Sequence, residues 1–209
     1  MKKYITGYDS IADAVTMLGL IFGVLACFVV GQHPVIAMIL FALAGLCDSV
    51  DGKIARADKT RDKRHRFYGV QLDSLCDAIS FGVTPCIMAY RLGYDGAIDL
   101  IIYCLFITCG VIRLANFNTE AATETKDLKM DHFTGFPIPA SILAFPFLLL
   151  FHLLTDGNVA WLFRLVLLIV GVGYIARVRI PKPHTKQQIY IGCGEVLMII
   201  VLLIVSAVK

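Results

Sequence analysis

Apolar residues fall into seven runs, at about 11–30, 34–57, 69–92, 97–115, 137–154, 159–176 and 189–208, separated by short polar stretches. Runs near twenty residues match the length a helix needs to cross ~30 Å of hydrocarbon. Each therefore predicts a membrane-spanning helix. Pro34 suits the first turn of the second run, and Pro137 or Pro139 opens the fifth. Two runs are not uniform. The second ends polar, with Asp48, Asp51, Lys53 and Arg56, and the third opens polar, with Asp73, Ser74, Asp77 and Ser80. A secretory signal competes for the first run, where Val24-Leu25-Ala26-Cys27 is faintly like a lipoprotein cleavage box. That run is too long and six more follow it, so it reads as a retained span.

Composition agrees. Of the 209 residues, 58% are hydrophobic and 17% charged, with a mean hydropathy of +0.76. Soluble domains average roughly 45–50% apolar and about 25% charged residues. A soluble enzyme and a disordered chain are both excluded. The expectation is an all-α, polytopic membrane helix bundle of about seven spans, with residues 1–209 forming a single domain.

Charge adds an orientation. The net charge is only +3, yet seven of the 19 Lys and Arg residues fall between Lys53 and Arg66. Basic patches can mark nucleic-acid binding, but this one lies between two apolar runs with no reading module beside it. A basic cytoplasmic loop at 57–68, near anionic lipid, is the better account, with no nucleic-acid partner. The short loops at 31–33, 93–96 and 155–158 contain no Lys or Arg. The segments between them hold Lys2, Lys3, the basic cluster, Lys126, Lys129, Arg177, Arg179, Lys182 and Lys186. That asymmetry fits an N-terminus in the cytoplasm; seven spans put Lys209 outside, and the loss of the fifth or sixth would return it to the cytoplasm. Seven dispersed cysteines (27, 47, 76, 86, 104, 109, 193) form no C-x-x-C pair and read as small buried hydrophobes.

Chemistry concentrates in four aspartates. Asp48 and Asp51, three apart, share one helix face; Asp73 and Asp77, four apart, share another. Gly52, Ala55 and Gly69 lie beside them and permit close approach of a helix or a ligand. An intramembrane carboxylate costs on the order of 2.5–3.5 kcal/mol on insertion scales, and four facing anions repel. Protonation relieves this, and so does a divalent cation. With oxygen ligands alone, Mg²⁺ or Mn²⁺ is the natural ion, while Ca²⁺ stays open. Asp48 lies roughly 21 Å along a helix from Pro34, in the cytoplasmic half. Two polar faces packed for structural reasons are the plain alternative.

Written out, the residues are Asp48-x-x-Asp51-Gly52-x-x-Ala55-Arg56, then Gly69-x-x-x-Asp73-x-x-x-Asp77. This pattern resembles the signature of the CDP-alcohol phosphotransferases, membrane enzymes of phospholipid synthesis. The resemblance implies a six-helix core in which Asp48, Asp51, Asp73 and Asp77 hold two divalent ions. It also implies that CDP lies against Gly52, Ala55, Arg56 and Gly69, and that Asp77 is the base for the incoming alcohol. Arg56 and Gly69 are separated by twelve residues rather than the usual eight or nine, which puts loop contacts to the nucleotide in doubt.

Three further stretches resemble the phosphatidylserine synthase branch of that family: residues 72–85, Arg113-Leu114-Ala115-Asn116-Phe117-Asn118, and residues 133–140. Asn116 stands where Arg is common, and Asp13 where Asn is common; Asp13 is assigned no role. The implied reaction is phosphatidyl transfer from CDP-diacylglycerol to L-serine with release of CMP. Arg113 and Asn118 are then candidate serine or phosphate contacts. Membrane lipid is an expected partner, and homodimers are common in the family, although no span announces an interface. Glycerol phosphate or inositol phosphate as acceptor is the sister reading, and a cation transporter is a distant one. His33, His65, His132 and His184 lie in or near loops and form no ligand spacing, His152 reads as interfacial, and Glu195 as a polar partner or inter-helix contact within the seventh run.

Overall fold

The computed structural model describes residues 10–123, 132–181 and 185–208, and their side chains apart from those at 121–134, 179–193 and 195. Lys2, Lys3, Lys126, Lys129, Lys182, His184 and Lys209 lie outside the described residues, as do the side chains of His132, Arg179, Lys186, Cys193 and Glu195.

Helix α1 (Ile11–Val29) starts where the Ser10 side chain accepts from the Asp13 N–H at 3.2 Å, a normal N-cap. Helix α2 (Pro34–Ala57) begins on Pro34, whose missing N–H is no loss in a first turn. A five-residue link, 58–62, follows. Helix α3 (Lys63–Asp77) is capped by Asp62, which accepts from the His65 N–H at 2.7 Å. It runs through a π-helical turn, Ala78–Val83, into α4 (Thr84–Arg91), so Lys63–Arg91 is one continuous span. Then come α5 (Ala97–Thr123), α6 (Ala140–Leu154), α7 (Ala160–Ile175) and α8 (Thr185–Val208). Two short strands, β1 (His132–Thr134) and β2 (Arg179–Pro181), pair antiparallel, with Phe133 opposite Ile180. They are a minor addition to a helical bundle.

Helices α1, α2, α3–α4 and α5 are long and apolar enough to cross a membrane. Large apolar side chains such as Phe28, Ile98, Trp161 and Ile169 are exposed around the bundle. Such continuous apolar surface suits lipid rather than water. The chain is an integral membrane protein. Inside, Phe41, Phe81, Phe145 and Phe163 form an edge-to-face series with ring centroids 5.8–6.1 Å apart. Helix α1 comes close to its neighbours through glycine: a Cβ at Gly19 would stand 3.0 Å from the Cys47 Cβ, and one at Gly23 3.2 Å from the Ser80 Cα.

The order of apolar helices follows the sequence expectation, but three boundaries move. The basic loop expected at 57–68 shrinks to 58–62, because the Asp62 cap starts α3 six residues before Gly69. Helix α5 continues past Ala115 to Thr123. Helix α6 starts at Ala140, after both prolines. The preceding backbone is tied to the end of α7: Gly135 donates to the Val178 carbonyl and Phe136 to that of Gly173, each at 2.8 Å. With 15 and 16 residues, α6 and α7 rise only ~22–24 Å, short of a full hydrocarbon crossing.

The π turn has an identifiable cause. Pro85 has no N–H for the Phe81 carbonyl four residues earlier, and its ring crowds that oxygen. The Ser141 hydroxyl of α6 donates to the Phe81 carbonyl instead, at 3.0 Å. Ser141→Ala should therefore lower stability by about 1–2 kcal/mol, read as an earlier melt of detergent-solubilised protein. The penalty should shrink when Pro85→Ala restores an N–H. An equal penalty in both backgrounds would show that the hydroxyl does not serve this carbonyl.

Candidate active site

The polar end of α2 and the polar half of α3 face each other beside α1. Carboxylate oxygens of Asp48, Asp73 and Asp77 all lie within 4.8 Å of one another. The carboxyl groups of Asp48 and Asp77 are within hydrogen-bonding reach. Three acids, each half-buried, thus meet at one point between two helices. Like charges at this separation repel strongly in a medium of low dielectric constant. A hard cation with oxygen ligands fits this donor set.

Asp51 stands apart from that triad. It is 4% exposed, and Thr16 of α1 donates to its Oδ2. It remains close enough to interact electrostatically with Asp48, Asp73 and Asp77. Thr16 belongs to no motif, and its one signal in the sequence is its position three residues after Asp13, on the same helical face.

Each signature glycine lies under an arginine. A Cβ at Gly52 would meet Arg56 Nη1 at 3.3 Å, and one at Gly69 would meet Arg61 Nη2 at 2.8 Å. Arg56 is exposed and Ala55 half-buried on the same α2 turn. Arg61, from the 58–62 link, is buried and bonds Asp13 Oδ1 through Nη2 at 2.6 Å, with both side chains 4% exposed. His65 Nε2 lies 3.5 Å from the other Asp13 oxygen. Asp13, assigned no role from sequence, therefore ties the link and α3 to α1. Before Arg61, Asp58 accepts from the Thr60 hydroxyl at 2.6 Å and from its N–H at 2.9 Å. Those bonds hold the Asp58 carboxyl below the usual carboxylate range.

Asn118 is occupied between helices. Ser74 donates to its Oδ1 at 2.8 Å, and its Nδ2 donates to Gln71 Oε1 at 3.3 Å. It thereby packs α5 against α3. Arg113 is 8% exposed, and its Nε donates to the Phe136 carbonyl at 2.7 Å. It is within electrostatic reach of Asp77 and Glu120. It also lines a cavity of about 510 Å³ with Asn116, Phe117, Glu120, Tyr174 and Arg177. The structure thus gathers the acids between α2 and α3, which both pack on α1, and sets a charged cavity around Arg113, within electrostatic reach of Asp77.

The family model of the CDP-alcohol phosphatidyltransferases matches residues 9–179, and the chain belongs to that family. Among its relatives is a CDP-diacylglycerol–serine O-phosphatidyltransferase of Saccharomyces cerevisiae, 34% identical over 82% of this chain and 70% of the relative. An enzyme of the same name from Methanocaldococcus jannaschii is 31% identical over 96% and 86%. The archaetidylserine synthase of Methanothermobacter thermautotrophicus is 31% identical over 86% and 73%. No solved structure matches the chain.

Removing one partner of a buried ion pair strands the other charge, at a cost of about 3–5 kcal/mol. Asp13→Ala should therefore destabilise the solubilised protein strongly. Asp13→Ala combined with Arg61→Met should recover most of the loss in a thermal melt. Additive losses in the double variant would show that the two side chains are not an energetic pair.

Proposed function

We propose that this chain transfers the phosphatidyl group of CDP-diacylglycerol to the hydroxyl of L-serine, giving phosphatidylserine and CMP. The observation that carries the reading is the meeting of Asp48, Asp73 and Asp77 within 4.8 Å, in a chain of this family whose relatives bear serine-transferase names. The Lys and Arg asymmetry of the loops supports a cytoplasmic N-terminus and a site facing the cytoplasm of the cell membrane.

Asp48, Asp73 and Asp77, with Asp51 beside them, would hold two divalent ions, Mg²⁺ or Mn²⁺. Bound there, the ions neutralise the pyrophosphate and the charge that develops as CMP departs. Arg56 swings from Gly52 onto a phosphate as a bidentate donor, and Gly52 and Gly69 leave room for CDP at the backbone. Thr16 keeps Asp51 turned toward α1. Arg113 takes the serine carboxylate and sets the hydroxyl at Asp77. The serine oxygen bonds to the lipid-bearing phosphorus as its proton passes to Asp77. The bond from that phosphorus to the bridging oxygen breaks, and the oxygen leaves with CMP.

Purified protein given CDP-diacylglycerol should release CMP with L-serine, and not with glycerol 3-phosphate or inositol phosphate; a chelator should stop release. CMP release with a phosphate-bearing alcohol alone would overturn the serine reading. Asp77→Asn should reduce turnover by roughly 10²–10⁴-fold while CDP-diacylglycerol still binds, and full turnover would remove Asp77 from the mechanism. Asp48→Ala should shift the magnesium titration and weaken nucleotide binding together. An unchanged titration would contradict its place as a ligand.

A further inference from the structure

The cavity around Arg113, a residue within electrostatic reach of Asp77, carries both signs of charge. Among the described residues, two guanidinium groups, Arg113 on α5 and Arg177 just past α7, line it together with one acid, Glu120, two helical turns along α5 from Arg113. Arg113 is buried and Glu120 half-buried, so both act where water screens poorly. Glu120 interacts electrostatically with Arg113, which also feels Asp77. The cavity volume of about 510 Å³ falls within the usual range for small-ligand sites.

From this arrangement we infer that Glu120 determines acceptor specificity by receiving the ammonium group of an amino-acid alcohol. This rests on the serine reading of the same site and adds the chemistry that selects it. A doubly charged phosphate on the acceptor suits the two arginines but meets the Glu120 carboxylate as a like charge. A zwitterion satisfies both signs: its carboxylate lies on the guanidinium side and its ammonium on Glu120. Its hydroxyl is then left toward Asp77. Rejection of the phosphate-bearing alcohol is thus electrostatic, and selection of the amino acid comes from a charge-assisted hydrogen bond absent with a plain hydroxy acid.

The test compares acceptors on the full-length enzyme in mixed micelles with CDP-diacylglycerol. L-Serine is set against glycerate, which keeps the hydroxyl and carboxylate and lacks the ammonium, and against glycerol 3-phosphate. Wild-type enzyme should prefer serine to glycerate by roughly 10–100-fold in kcat/KM; equal use overturns the inference without any variant. Glu120→Gln should raise the serine KM by a similar factor, leave the CDP-diacylglycerol KM unchanged, and leave glycerate use equal or improved. A parallel loss with serine and glycerate would mean that Glu120 only positions Arg113, which overturns the assignment. Glu120→Asp, retaining the carboxylate, should restore part of the serine preference. If the wild-type enzyme releases no CMP with serine, the reaction assignment itself fails, an outcome distinct from an unchanged Glu120→Gln.

Discussion

Three carboxylates held within 4.8 Å of one another, at the junction of two helices in an apolar bundle, are the constraint around which this protein is built. Such a cluster is unfavourable by itself, since burial penalises each anion and proximity penalises them together. A fold that brings Asp48, Asp73 and Asp77 together therefore has to hold α2 and α3 in place by other means, and both pack on α1 rather than on each other. Several are visible. Gly19 and Gly23 let α1 press closely on α2 and on the π turn. Thr16 fixes Asp51, the Asp13–Arg61 pair fixes the link, and Ser74 with Gln71 clasps Asn118. Polar contacts from α1, the 58–62 link and α5 thus converge on the same two helices. Packing against rigid neighbours makes an intrinsically repulsive site a stable one, and that arrangement suits binding of a cation.

The sequence displayed the helical bundle clearly because lipid-facing helices leave long apolar runs that little else produces. Boundaries were less legible where local capping overrides hydropathy. Lys63, Arg64 and Arg66 look like loop residues, yet Asp62 caps a helix that begins with them. The prolines at 137 and 139 look like the start of a helix, but backbone bonds from Gly135 and Phe136 to the end of α7 delay it to Ala140. The π turn before Pro85 was invisible, since the proline announces a break and does not say how the chain repairs it.

For the site, residue spacing gave two pairs of aspartates on two helix faces, and the fold decides how those faces meet. It joins Asp48 with the second pair and turns Asp51 toward α1. That division depends on the rotation of α2 against α1, a tertiary fact with no local signature. The Asp13–Arg61 pair was hidden for a similar reason: its members are 48 positions apart and meet only once α1 crosses the link. Asn118 also changes meaning, because both ends of its amide are used between helices. A polar residue near a site is as often a fastener as a ligand, and only its partners distinguish the two.

Polar fastening also differs between the two ends of the bundle. Away from the aspartates, Asp99 of α5 takes Arg164 of α7 in a two-pronged bond at 2.7 and 2.9 Å. There too, Tyr94 bonds His152, and Tyr103 donates to the Tyr94 carbonyl at 2.7 Å. Burial pushes the Tyr94 phenol up to about 12, so it remains a neutral hydroxyl at any physiological pH. This end is thus closed by groups that satisfy one another. At the aspartate end Asp13 and Arg61 form such a pair, but Asp48, Asp73 and Asp77 face one another as like charges. Helices clamped at one end can tolerate such imbalance at the other, since misfit there cannot be relieved by sliding α5 along α7. Three like charges gathered on a rigid bundle leave electrostatic free energy for a bound cation to release.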